Sequence, residues 1–82
     1  MTPQARDRIA GELAKRMRDV NKWYLTATPE EVAATLYLSG AEMVLLSLDV
    51  PYRTAWDADA RRYTALTLDG VTYPVPGGEA AS

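Results

Sequence analysis

One segment governs what this chain can become: Thr28 to Leu48, TPEEVAATLYLSGAEMVLLSL. It opens with the signals of a surface helix and then stays apolar almost all the way round. Thr28 supplies an N-cap oxygen, Pro29 sits at the first helical position, and Glu31 completes a capping box. Glu30 and Glu31 also sit at the positive end of the helix dipole. Beyond them Val32, Leu36, Met43 and Leu46 form one face. Tyr37, Val44 and Leu48 form a second, about 100° away, and Leu38 and Leu45 a third. Thr35, Glu42 and the initial Glu pair leave only a narrow polar strip. Ser39-Gly40 offers a point at which the segment divides into two shorter helices. A helix apolar on several sides normally lies inside a large protein, and 82 residues provide little to bury it in. A chain of this size buries roughly 60–65% of the surface its unfolded form exposes, and oligomerisation is a common remedy. A second copy or a partner protein is therefore expected to cover part of this helix.

The fold expected around it is α+β. A first helix runs from about residue 3 to 24, with Thr2 as N-cap and Pro3 at N1. Ile9, Leu13, Met17, Val20 and Tyr24 recur at spacings of four, four, three and four, within an arc of about 80°. The opposite side carries Arg8, Lys15, Arg18 and Lys22 with Glu12 and Asp19 interleaved. The spacing predicts Glu12–Arg16 and Lys15–Asp19 pairs worth about 0.3 kcal/mol each. Gly11 weakens the helix but points away from the stripe. Arg16 lies beside the stripe near Trp23; its stem either packs with its head in water or stacks on Trp23. The second helix spans about 29–48. From Val50 the period becomes two: Val50, Tyr52, Thr54 and Trp56 alternate with Pro51, Arg53 and Ala55, a short third strand near 50–56 that Pro51 pushes to an edge. Then YTALTL-DG-VTYPV reads as an antiparallel hairpin, strands about 62–68 and 71–75, with Asp69-Gly70 in a type I′ turn. That register pairs Leu68 with Val71, Leu66 with Tyr73, Thr67 with Thr72 and Ala65 with Pro74. Residues 1–76 make one domain, and the tail from 77 to 82 is expected to be disordered.

Little in the chain points to catalysis. It has no Cys and no His, which removes the thiolate metal sites, the usual general base and the commonest transition-metal ligand. Neither Ser39 nor Ser47 is followed by a Lys at helical spacing, so a Ser–Lys pair is not indicated. Pro76-Gly77-Gly78 does not have the form of a phosphate loop. Asp57 and Asp59 flank one residue, and turn residues bonding their own backbone explain them better than a weak Mg²⁺ or Ca²⁺ site does. We expect no enzyme activity, no cofactor and no metal. The charged first helix does not read as a signal peptide, and no apolar run approaches the length of a membrane span. A soluble, cytoplasmic protein is expected.

Charge is unevenly spread. Residues 1–24 carry six cations and three anions, a balance of +3, and residues 25–82 carry three cations and eight anions, a balance of −5. Such bipolarity can steer association, or simply reflect a solvated basic helix. Residues 28–53, TPEEVAATLYLSGAEMVLLSLDVPYR, resemble the helix-turn-helix of excisionase and MerR-type regulators. The likeness rests on a capped helix, Ala33-Ala34, a Ser39 opening a second helix, and a Pro and basic residue leading to a strand. It covers about a third of the chain and implies a winged DNA-binding protein, with the Asp69-Gly70 hairpin as wing. Tyr37 stands where that family usually has a turn Gly, and Ala41–Leu48 carries no Arg, Lys, Asn or Gln to read base edges. The DNA contacts implied would rest on phosphates, through Arg53, Arg61, Arg62, Arg8, Lys15, Arg18 and Lys22.

The aromatic residues favour a different contact. Trp23, Tyr24, Tyr37, Tyr52, Trp56, Tyr63 and Tyr73 combine apolar area with a polar handle, a combination enriched at interface hot spots. Tyr24, Trp56 and Tyr73 are expected to close the small core. Trp23, Tyr37, Leu38, Val44, Leu45 and Leu48 are the candidates for a protein interface. The function expected is a small non-catalytic interaction module, a homodimer or a cap on a larger protein. It resembles, in size and in lacking catalytic residues, regulators and inhibitors encoded by phages or mobile elements. Degenerate winged helix-turn-helix DNA binding is the alternative.

Overall fold

A computed structural model describes residues 1–76; the expectation of a disordered tail at 77–82 lies outside the described residues. Helix α1 spans Pro3–Trp23 and helix α2 Pro29–Ser47. They are followed by β1 (Tyr52–Asp57), β2 (Arg62–Leu68) and β3 (Val71–Pro74). The strands form one antiparallel sheet in the order β1-β2-β3. This is the expected α+β architecture, with the third strand formed.

Both helices begin as their sequences dictate. Thr2 accepts a hydrogen bond from the Ala5 amide at 3.1 Å, and Thr28 accepts one from the Glu31 amide at 3.3 Å. The second half of the capping box is different. Glu31 does not reach back to its own N-cap but across the interhelical turn, where its carboxylate accepts from the amides of Leu25 and Ala27. Both residues have left-handed backbone, with φ 58° and 54°. Such geometry costs a non-glycine residue on the order of 1–2 kcal/mol, and the Glu31 bonds hold it in place.

Helix α2 passes through Tyr37 and Ser39-Gly40 without a turn, so the segment does not divide there. Gly40 alone costs about 1 kcal/mol in a helix, too little to break one anchored on either side of it by the buried Leu38 and Leu45. The segment 28–53 is thus one helix followed by a strand. The helix ends in a Schellman arrangement: the Val50 amide donates to the Leu45 carbonyl at 2.9 Å and the Asp49 amide to the Leu46 carbonyl at 3.1 Å. Asp49 takes the left-handed position, φ 55°, that glycine usually fills.

The hairpin has the register expected from its turn and alternation, with Leu68 opposite Val71 and Leu66 opposite Tyr73. Asp69 and Gly70 both have positive φ, as a type I′ turn requires. A bulge between Ala55 and Trp56 leaves Thr64 as the extra residue of β2.

The core combines Ala10, Leu13, Ala14, Met17 and Val20 of α1 with Ala34, Leu38 and Leu45 of α2 and Leu66, Leu68 and Val75 of the hairpin. Helix α1 is the hub. It packs against α2 on one side and the middle strand on another, while α2 touches the sheet only marginally, at β1. Asn21 adds a polar clamp: its side chain donates to the Tyr63 carbonyl at 2.9 Å and accepts from the Tyr63 amide at 2.6 Å. At the other end, Tyr73 accepts from Arg6 at 2.7 Å and donates to Asp7 at 2.6 Å.

Some local expectations change. Lys15 pairs with Glu12 at 3.4 Å rather than with Asp19, which Arg18 approaches at 3.7 Å. Trp56 is not core but lies at the rim, with its ring 5.3 Å from Tyr24 and 4.9 Å from Tyr63. Tyr24 and Tyr73 do pack against the core. Asp57 accepts from the amides of Asp59 and Ala60 at 3.0 and 3.1 Å, a turn residue serving its own backbone.

Candidate interaction surface

The surface is built by α2. The stripe that meets the rest of the chain is Ala34, Leu38, Ala41 and Leu45, spaced four, three and four. Alternation of Ala with Leu lets two helices approach closely, and α1 presents its own Ala10, Leu13, Ala14 and Met17. That settles which of the apolar faces turns inward. The expectation that Leu38 and Leu45 belong to an interface is corrected: they are 8% and 5% exposed and lie in the chain's own core.

What remains outside is large and apolar. Val32, Leu36, Met43 and Leu46 are 49%, 67%, 69% and 62% exposed, and Tyr37, Val44 and Leu48 are also open. Tyr37, Val44 and Leu48 were expected at the interface and are found together. They line one groove of about 580 Å³ between α1 and α2, with Met1, Ile9 and Leu36 among the other walls. Leu36 and Met43 were not among the expected surface residues, because their face is as fit for the core as any other, and they are open. The small residues do not decide it, since Ala33 and Gly40 mark the outer side as Ala34 and Ala41 mark the inner one.

Trp23 stands apart from this groove. It is half-buried at the end of α1, with the Lys22 ammonium 5.1 Å from its ring. Arg16 stacks on Tyr37, not on Trp23, with its guanidinium carbon 4.6 Å from the ring centroid. Its Nε is buried and, among the described residues, has no hydrogen-bond partner. The stacking fixes the Tyr37 ring at the wall of the groove.

Four of the cations considered for nucleic acid also converge. Arg18, Lys22, Arg61 and Arg62 line a hollow of about 240 Å³ with Asn21, Ala60 and Pro76. Arg8 lies away from it, on the apolar groove, and Arg53 lies on β1 opposite Thr67. Lys15 is held by Glu12.

A small polar recess of about 110 Å³ separates α2 from the sheet, with Glu42, Tyr52 and Tyr63 among its walls. Burial, reinforced by Tyr63 and Glu42, pushes the Tyr52 hydroxyl up to about 12. Burial raises Tyr63 as well, with Glu42 adding to it. Both phenols thus hold their protons more tightly than in the unfolded chain. Among the described residues no group of three or more acidic side chains is placed to hold a metal, and no helix is long and apolar enough to cross a membrane.

The chain matches no protein-family model, no curated protein and no solved structure. What the surface does must therefore follow from its own chemistry: it can exclude water against another apolar surface, with Tyr37 as an anchored aromatic contact.

Proposed function

We propose that this chain is a non-catalytic protein-interaction module of the cytoplasm, a regulator or inhibitor of the phage or mobile-element type, acting through the outer face of α2. The observation that carries the reading is the exposure of Leu36, Met43, Val44, Leu46 and Leu48 on one helix. Monomeric soluble proteins rarely leave contiguous apolar patches of more than a few hundred Å² open, and larger ones mark interaction sites. The mechanism is occlusion, in which the helix face and the Tyr37 rim cover an apolar surface and exclude water from it. Affinity comes from area and shape, with no bond made or broken.

A second reading is favoured by the basic hollow. Arg18, Lys22, Arg61 and Arg62 meet there, and a phosphate backbone is the polyanion such a cluster suits. On that reading the chain binds DNA without reading sequence. One pair of titrations separates the two. Labelled duplex DNA is followed by fluorescence anisotropy between 50 and 200 mM salt. An apolar reporter dye is titrated onto the wild type and onto a Leu36→Glu/Met43→Glu variant. The interaction module requires that the wild type either binds the dye or self-associates, that salt leaves this alone, and that the double variant loses it. Salt-steep DNA binding, lost in Arg61→Ala/Arg62→Ala, by a chain that is monomeric and binds no dye would overturn it in favour of the second reading.

A further inference from the structure

The face described above could be covered by many proteins, and its layout selects one. We infer that the occupant is a second copy of this chain, packed α2 against α2, antiparallel, about a two-fold axis at Gly40. This rests on the reading of α2 as the interaction surface and names its partner.

Three features point the same way. The first is area. Seven large apolar side chains of α2 are open by two-fifths to two-thirds. They lie on two faces about 100° apart, and a dimer of standard size, which buries about 800 Å² on each partner, would draw on both.

The second is relief. On the outer side of α2, small and large residues alternate at spacings of three and four: Ala33, Leu36, Gly40, Met43, Ser47. Nothing lies within 4 Å of where a Gly40 side chain would start. In an antiparallel pair centred on Gly40, residue 33 falls opposite residue 47 of the other copy, 36 opposite 44, and 37 opposite 43. Large side chains then flank a narrow waist where the two backbones approach, with small residues meeting at both ends. An isologous two-fold contact of this kind closes on itself.

The third is charge. α2 carries Glu30 and Glu31 in its first turn and no cation in its last. Parallel packing would set acidic turn against acidic turn. Antiparallel packing carries Glu30 of one copy to the Leu48 end of the other. There Arg8 of α1 and Met1, just ahead of it, stand on the same groove as Leu48. The basic first helix thus meets the acidic start of α2, and the helix dipoles oppose favourably.

The experiment combines mass and cross-linking on the full chain, which has no cysteine of its own. Light scattering from about 1 to 100 µM should give twice the chain mass, persisting at high salt. Met43→Glu should raise the dissociation constant by at least ~30-fold, the effect of a hot-spot residue. Oxidised Gly40→Cys should link to itself. Ala33→Cys should link to Ser47→Cys when the two variants are mixed and not to itself. Self-linking of Ala33→Cys would mean a parallel pair and overturn the inference. So would a wild-type monomer at every concentration. In that event the dye titration decides the fate of the parent reading separately. Dye bound by the monomer and lost in Leu36→Glu/Met43→Glu leaves α2 as a surface for a different protein, while no dye binding removes both.

Discussion

At the scale of single residues, the chain depends on a few polar contacts that carry structure rather than chemistry. Asn21 meets both backbone groups of Tyr63, where β3 does not extend far enough to pair with the middle strand. It acts as one more rung of the ladder, supplied by a helix. Asn21→Ala leaves those two groups without it and should destabilise the fold by about 1–3 kcal/mol, read from the urea midpoint. Forty-two residues separate the partners, so nothing local in the sequence announces the clamp. Tyr52 gives a pH signature. Its hydroxyl ionises near pH 10 in the unfolded chain and near 12 in the fold, where burial opposes the phenolate. The folded state therefore holds the proton more tightly. Its contribution to stability is full below about pH 10 and is lost as pH rises from there through 12. Unfolding midpoints between pH 9 and 12 should fall less steeply for Tyr52→Phe than for the wild type; parallel curves would refute the assignment.

Elements make plain what local sequence can and cannot decide. The register of the hairpin was legible pair by pair, though its last strand ends at Pro74 rather than 75, because the Asp69-Gly70 turn and the period-two alternation specify one register independently. The α1 stripe was legible for the same reason, a single apolar arc on an otherwise charged helix. The orientation of α2 was not, since apolar residues on several sides make its faces equivalent until a neighbour chooses. The neighbour is α1, whose Ala10 and Ala14 share the core with Ala34, and Ala41 packs against it. Hence Leu38 and Leu45 moved from the expected interface to the core, and Leu36 and Met43 took their place outside. The interhelical turn was only half legible. Thr28 caps α2 as its sequence says, but Glu31 serves Leu25 and Ala27 because their left-handed backbone leaves amides pointing at it. Ala27→Gly should relieve that geometry and raise stability by about 0.5–1 kcal/mol, measured by chemical denaturation. A loss of stability would mean that the turn carries no strain at this position.

For the whole molecule, the layering explains why the surface exists at all. α1 is packed on two sides, the sheet on one, and α2 on less than half its circumference. If two copies close over the open face, folding and association are linked, and the thermal midpoint becomes a function of concentration. It should rise by several degrees between 1 and 100 µM in the wild type and stay fixed in Leu36→Glu/Met43→Glu. Both substituted positions face solvent in the single chain, so the variant should keep its secondary structure by circular dichroism. The division of α2 into a face that builds the fold and a face that does not has a further consequence, for how such a protein can change. Ala34, Leu38, Ala41 and Leu45 are bound by the packing of α1, whereas Val32, Leu36, Met43 and Leu46 answer to nothing inside the molecule. Mutations on the outer row can therefore accumulate without disturbing the packing inside a single chain, and under the proposed function each one would alter what the protein meets. If that proposal holds, a lineage built on this chain could exchange one partner for another through a handful of point changes on a single helix, while the scaffold beneath stays the same.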